Sequence, residues 1–113
     1  IAQTYDKLLR NIKGISTPVV EKNRNHIYHL YTIKIENDYH ITRDELFTKL
    51  SKNHIGASVQ YIPLHLMSLY EKEYKNKIDS FTNSNRLKDQ VICLPIYPTM
   101  TTKQIEYVVS NLA

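Results

Sequence analysis

The sequence predicts a small α/β domain, with a sheet of about three strands and helices packed on one sheet face. Three observations predict it. Segments of helical and strand period follow one another as helix, strand, helix, strand, short helices, strand, helix, with no internal repeat and no low-complexity tract. The 113 residues are 42% hydrophobic, enough to close one core and too few for a second domain of ordinary size. Charged residues make up 23% and only Gly14 and Gly56 are glycines, a composition that folds rather than staying disordered.

The first helix is predicted over Ile1 to Ile12. Ile1, Tyr5, Leu8, Leu9 and Ile12 share one face, and Lys7, Arg10 and Lys13 lie toward the negative end of the helix dipole. Gly14 supplies the left-handed stop. Ile15 to Asn25, with Pro18 and a polar end, reads as a connector. His26 to Ile35 is the clearest strand, with Tyr31, Ile33 and Ile35 alternating against Tyr28, Leu30, Thr32 and Lys34.

After a turn at Asn37 and Asp38, Thr42 and Glu45 form a capping box for a helix from Arg43 to about Asn53, with apolar residues Leu46, Phe47 and Leu50. Ala57 to Ile62 alternates as a second, shorter strand until Pro63 removes a ladder donor. A helical turn or two is expected within Leu66 to Lys77, polar loop over Asp79 to Asn85, and a short helix over Arg86 to Val91. Ile92 to Ile96 reads as a brief buried strand. Thr101 and Gln104 repeat the capping logic for a last helix lined by Ile105, Val108, Val109 and Leu112.

Several function classes are set aside by the same residues. The formal charge of +4 is spread among acidic neighbours, so a solvated surface explains the lysines better than a nucleic-acid patch does. His26 and His29, read as lying on opposite faces of a strand, have no cysteine or carboxylate cluster beside them, which argues against a metal site. Cys93, the single cysteine, sits between Ile92 and Leu94 as a small hydrophobe and forms no internal disulfide. No apolar run approaches the ~20 residues of a membrane span, so a soluble, cytoplasmic protein is expected. The chain opens on Ile1 with its first turn already amphipathic, as a piece of a longer polypeptide would.

Three blocks carry a family resemblance. HIYHLYTIKI at 26–35, followed by RDEL at 43–46, is similar to the opening of the small C-terminal domain in the DegT/DnrJ/StrS family of sugar aminotransferases. IGASVQYIPLH at 55–65 resembles that family's strand and loop at the active-site cleft. VICLPIYPTMTTKQIEYVV at 91–109 resembles its terminal strand and helix. The blocks occur in the family's order and at its spacing, and with the leading helix they cover nearly the whole chain.

The resemblance implies the mostly antiparallel small domain of fold-type I pyridoxal-phosphate enzymes, in which 1–14 is a linking helix and 26–113 an α/β core. It further implies a transaminase that moves an amino group, usually from glutamate, to a nucleotide-linked keto sugar in amino-sugar or cell-surface polysaccharide biosynthesis. The cofactor and its Schiff-base lysine then belong to a large N-terminal domain outside this chain, which alone is expected to be inactive. No cofactor contact and no catalytic residue is expected here. Family members are usually dimers. By resemblance, Tyr61 and His65 sit on the corner that faces the bound sugar, with Pro63 fixing the bend between them. Gln60 stands where many relatives have histidine, which leaves the sugar unnamed. The alternative is a non-catalytic remnant or interaction module that retains this fold.

Overall fold

The computed structural model describes residues 1–74 and 80–113. In chain order the elements are α1 (Ala2–Leu9), β1 (Ile15–Ser16), β2 (Tyr31–Ile35), α2 (Arg43–Lys52), a 3-10 turn at Leu64–Leu66, α3 (Ser68–Tyr74), α4 (Thr82–Leu87), β3 (Val91–Leu94) and α5 (Thr102–Ser110). The strands form one antiparallel sheet in the order β1-β2-β3, with Ile15 opposite Ile35 and a β2-β3 register running from Tyr31↔Leu94 to Lys34↔Val91. This is the predicted small α/β architecture.

Its core lies on one sheet face. Tyr31, Ile33 and Ile35 alternate inward from β2, joined by Ile92 and Leu94 of β3, and are covered by Tyr5 and Leu9 of α1, Leu46 and Leu50 of α2, and Ile105 and Val108 of α5. Each fully buried aliphatic of this kind contributes roughly 1.5–3 kcal/mol. The first helix is part of this core: the Tyr5 ring stacks on Tyr31 at 4.8 Å, the Tyr5 hydroxyl donates to Pro95 O at 2.9 Å, and the Tyr31 hydroxyl donates to Asp6. Burial pushes the Tyr5 and Tyr31 phenols well above their ordinary range, as it also raises Tyr39.

Both capping boxes form as expected. Thr42 N donates to Glu45 Oε2 at 2.8 Å while Glu45 N donates back to Thr42 Oγ1, and Thr101 and Gln104 repeat the exchange at the start of α5. These bonds hold the Glu45 carboxyl below its ordinary range. Gly14 has a φ of 79°, as a left-handed stop requires. No helix among the described residues is long and apolar enough to cross a membrane.

Four expectations are corrected. The third strand is β1, inside the segment read as connector; Gly14 turns the chain so that its carbonyl accepts from Glu36 N at 2.8 Å and Ile15 and Ser16 fall beside β2. The segment 57–62 contributes only Ser58, which exchanges two backbone bonds with Cys93; beyond it the chain leaves the sheet with Val59, Tyr61 and Ile62 exposed. The strand expected from His26 starts at Tyr31, because Tyr28 takes a φ of 50° and donates its N–H to His26 Nδ1, so His26 and His29 lie on a bend rather than on two strand faces. The short helix is Thr82–Leu87, four residues earlier than its polar composition suggested, since Phe81 at its head packs against His65 and Tyr74. Residues 75–77 of the expected third helix, and the first residue of the expected polar loop, lie outside the described residues.

Candidate functional site

The corner singled out in the sequence leaves the sheet at Ser58 and runs across the face opposite the core. Gln60 Nε2 donates to Ser58 Oγ at 3.2 Å, and the Gln60–Tyr61 peptide is cis. Pro63, with φ fixed by its ring, then starts the 3-10 turn in which Leu66 N donates to the Pro63 carbonyl at 2.9 Å. A groove of about 710 Å³ opens beside this corner between Thr32, Tyr61, Leu64, Ser84, Leu87 and Lys88.

Tyr61 and His65 meet different surroundings. Tyr61 is 76% exposed on the rim of the groove, with its phenol free of the domain's own core. His65 is only 5% exposed. Its ring stacks on Phe81 at 4.3 Å and 17°, Phe81 meets Tyr74 edge-on at 5.6 Å, and His65 Nε2 lies 2.7 Å from Asn85 Oδ1. An amide oxygen only accepts, so the imidazole donates from Nε2 in this pair. His65 thus ties the corner to α4. Sequence reasoning placed both residues on the corner and missed Phe81 and Asn85, which lay in a stretch read as loop; the one signal available was an aromatic inside an otherwise polar run.

The lysines bear on cofactor chemistry. A lysine that forms an imine with a carbonyl cofactor is activated by desolvation or by a neighbouring cation. Every lysine among the described residues is exposed or half-buried, and Lys34 and Lys88 are paired with Glu36 and Asp89. The described residues therefore do not fit the covalent site of pyridoxal phosphate. What the chain presents is a rim: an exposed phenol with one hydrogen-bonding tip, an apolar surround and the Lys88 ammonium across the groove.

Fold and corner together define a small α/β lobe that offers one rigidly tethered loop and holds no fitted Schiff-base lysine among its described residues. The family model of DegT/DnrJ/EryC1/StrS aminotransferases matches residues 1–113, and the chain belongs to that family. It is 38% identical over 111 residues to the uncharacterized protein MJ1066 of Methanocaldococcus jannaschii, covering 97% of this chain and 29% of that protein. It is 32% identical over 98 residues to a dTDP-4-amino-4,6-dideoxy-D-glucose transaminase of Escherichia coli, covering 86% of this chain and 26% of that protein. Among solved structures, that of S. venezuelae DesV in complex with a ketimine intermediate superposes with a TM-score of 0.85 at 29% identity, over 97% of this chain and 28% of that one. The chain thus spans under a third of the length of the relatives it matches.

Proposed function

We propose that the chain is the C-terminal lobe of a cytoplasmic, pyridoxal-phosphate-dependent aminotransferase that transfers an amino group, from glutamate, to a nucleotide-linked keto sugar. The remainder of such an enzyme lies in a large domain preceding Ile1, and the whole works as a dimer. One observation carries the reading. In a chain of this family, Tyr61 stands exposed at the rim of a groove on a loop that His65, Phe81 and Asn85 hold in place. When bound, the cofactor supplies the electron sink for amino transfer.

The lobe's own residues bind and position. The Tyr61 hydroxyl gives or takes one hydrogen bond with a sugar hydroxyl while its ring covers the sugar's apolar face. His65 acts through Tyr61's loop by anchoring it to α4. On this reading the lobe alone is inactive, and the lysines among its described residues support that, since none of them is set for imine formation.

The test begins with the reading frame upstream of Ile1. A large domain bearing a lysine segment supports the enzyme, and an isolated frame supports a remnant or interaction module. In the family-length polypeptide, Tyr61→Phe removes one neutral hydrogen bond of about 0.5–1.5 kcal/mol and lowers kcat/KM for the keto sugar by about two- to tenfold. The half-reaction with glutamate stays unchanged. Equal losses in both half-reactions would take Tyr61 away from the sugar. His65→Gln, which keeps an N–H donor for Asn85, retains more turnover than His65→Ala.

A further inference from the structure

A second cavity lies away from the Tyr61 corner. It encloses about 600 Å³ between α5, the chain that leaves α2 and the chain that leaves β3, and it shares no lining residue with the groove beside Tyr61. Its apolar part comes from Ile55, Pro95, Met100 and Val108. The rings of Tyr97 and Tyr107 stand at its sides, 42% and 52% exposed. A space of this size, apolar within and carrying a few polar groups, suits a small organic molecule.

Its walls are already fixed. The Tyr5 hydroxyl, from the buried face of α1, donates to Pro95 O at 2.9 Å and lies 3.8 Å from Met100 Sδ. Tyr107 donates its hydroxyl to Asn53 O at 3.2 Å and so braces α5 against the end of α2. Ile55 N donates to Leu50 O at 2.9 Å, which sets the segment 54–56 beside the cavity. A ligand entering here orders little that is not ordered beforehand.

The polar groups are of one kind. No Asp or Glu lines the cavity, whereas His54, Lys103 and Gln104 do. Gln104 Oε1 is taken up by the helix cap, accepting from Thr101 N at 2.8 Å and from Thr101 Oγ1 at 2.9 Å, so the amide has chiefly its N–H donors left to offer. Lys103 is exposed and has no ion-pair partner among the described residues. One full positive charge with neutral donors beside it matches a single carboxylate better than a doubly charged phosphate. Two phenol rings and a methionine match a flat aromatic body.

We infer that this cavity binds a small aromatic carboxylate, its charge toward Lys103 and Gln104 and its ring among Tyr97, Met100 and Tyr107. The site is separate from the proposed sugar contact and stands whether or not the protein transaminates.

The test titrates phenylacetate, by calorimetry, into the polypeptide encoded by the whole reading frame that contains these residues. One molecule binds per chain with a Kd of about 1 mM or tighter. Phenylacetamide, which keeps the ring and loses the charge, binds at least about fivefold more weakly, and so does phenylacetate to Lys103→Gln. Gly56→Phe blocks the cavity: a Cβ at Gly56 meets nothing within 4 Å, so the thermal midpoint stays within about 3 °C of the parent while binding falls at least about tenfold. Lys88→Gln, in the groove beside Tyr61, leaves the affinity unchanged. No binding at about ten times the expected Kd overturns the inference, as does equal affinity for the acid and the amide. So does binding that either Lys103→Gln or Gly56→Phe leaves intact, or that Lys88→Gln weakens, since the ligand would then lie outside this cavity.

Discussion

Replacing Gly14 by alanine puts a methyl group where the fold leaves no room. The residue has a φ of 79°, a left-handed conformation that costs a residue with a side chain about 1–2 kcal/mol. A Cβ there meets Tyr39 at 2.6 Å from its Cα, 2.6 Å from its N and 2.7 Å from its Cβ. Two of those atoms are backbone, and they cannot be moved aside as a flexible side-chain end can. Tyr39 is itself fixed: the ring is buried, and its hydroxyl donates to the Leu112 carbonyl at the end of the chain. Gly14 is pinned as well, through the bond from Glu36 N to its carbonyl at 2.8 Å.

Overpacking of a closed site costs about 1–3 kcal/mol, so with the backbone term the loss is about 2–5 kcal/mol. An unfolding entropy of ~2.1 cal/mol/K per residue converts this to a fall of about 8–20 °C in the midpoint. Gly56→Ala is the internal control. Nothing lies within 4 Å of a Cβ at Gly56, so alanine there is neutral, or stabilises by up to about 1 kcal/mol through lost freedom in the unfolded chain. Thermal melts followed by circular dichroism measure both variants against the parent. A Gly14→Ala melt within about 3 °C of the parent, or equal effects from the two alanines, would refute the clash.

Thr101→Ala removes the cap that accepts from Gln104 N and should cost about 1 kcal/mol, or about 4 °C in the same melt. Stability should also fall at both ends of the pH scale, which urea unfolding at stepped pH will follow. Glu36, held low first by its bond from Lys34 and then by Ser16, and Glu45, held low by its cap bonds, have folded values below 4.5. The unfolded chain therefore binds more protons below that pH, so their contribution is present above about pH 4.5 and is lost as pH falls through the folded values. Burial raises Tyr5, Tyr31 and Tyr39 above 10.0. Their contribution is present below about pH 10 and is lost as pH rises beyond it, and a flat profile on the alkaline side would deny their burial.

What the sequence made legible was local. Thr42 with Glu45 and Thr101 with Gln104 announce their helices because donor and acceptor lie three residues apart, and the inward alternation of Tyr31, Ile33 and Ile35 is visible because a strand facing one core must alternate. What it hid was decided at long range. Ile15 and Ser16 become a strand only because Gly14 turns them onto β2, whose far end is twenty residues away in sequence. The stretch 57–62 alternates as a strand does, yet past Ser58 it pairs with no strand among the described residues, and alternation without a partner makes no ladder. The helix at Thr82–Leu87 hides in a polar run because its support is Phe81 lying on His65.

The same distinction orders the candidate site. Nothing near Tyr61 or His65 in sequence states which ring turns inward; the choice is made by Phe81 and Asn85, sixteen and twenty residues beyond the histidine. A turnover defect from His65→Ala is therefore ambiguous on its own, because the substitution opens a cavity beside Phe81 and removes the bond to Asn85 Oδ1 before it touches any ligand. Tyr61→Phe disturbs no contact within the lobe's core, since its ring already stands in solvent at the groove rim. The proposed sugar contact is thus to be tested at the hydroxyl of Tyr61, and the histidine's role by the difference between its glutamine and alanine variants.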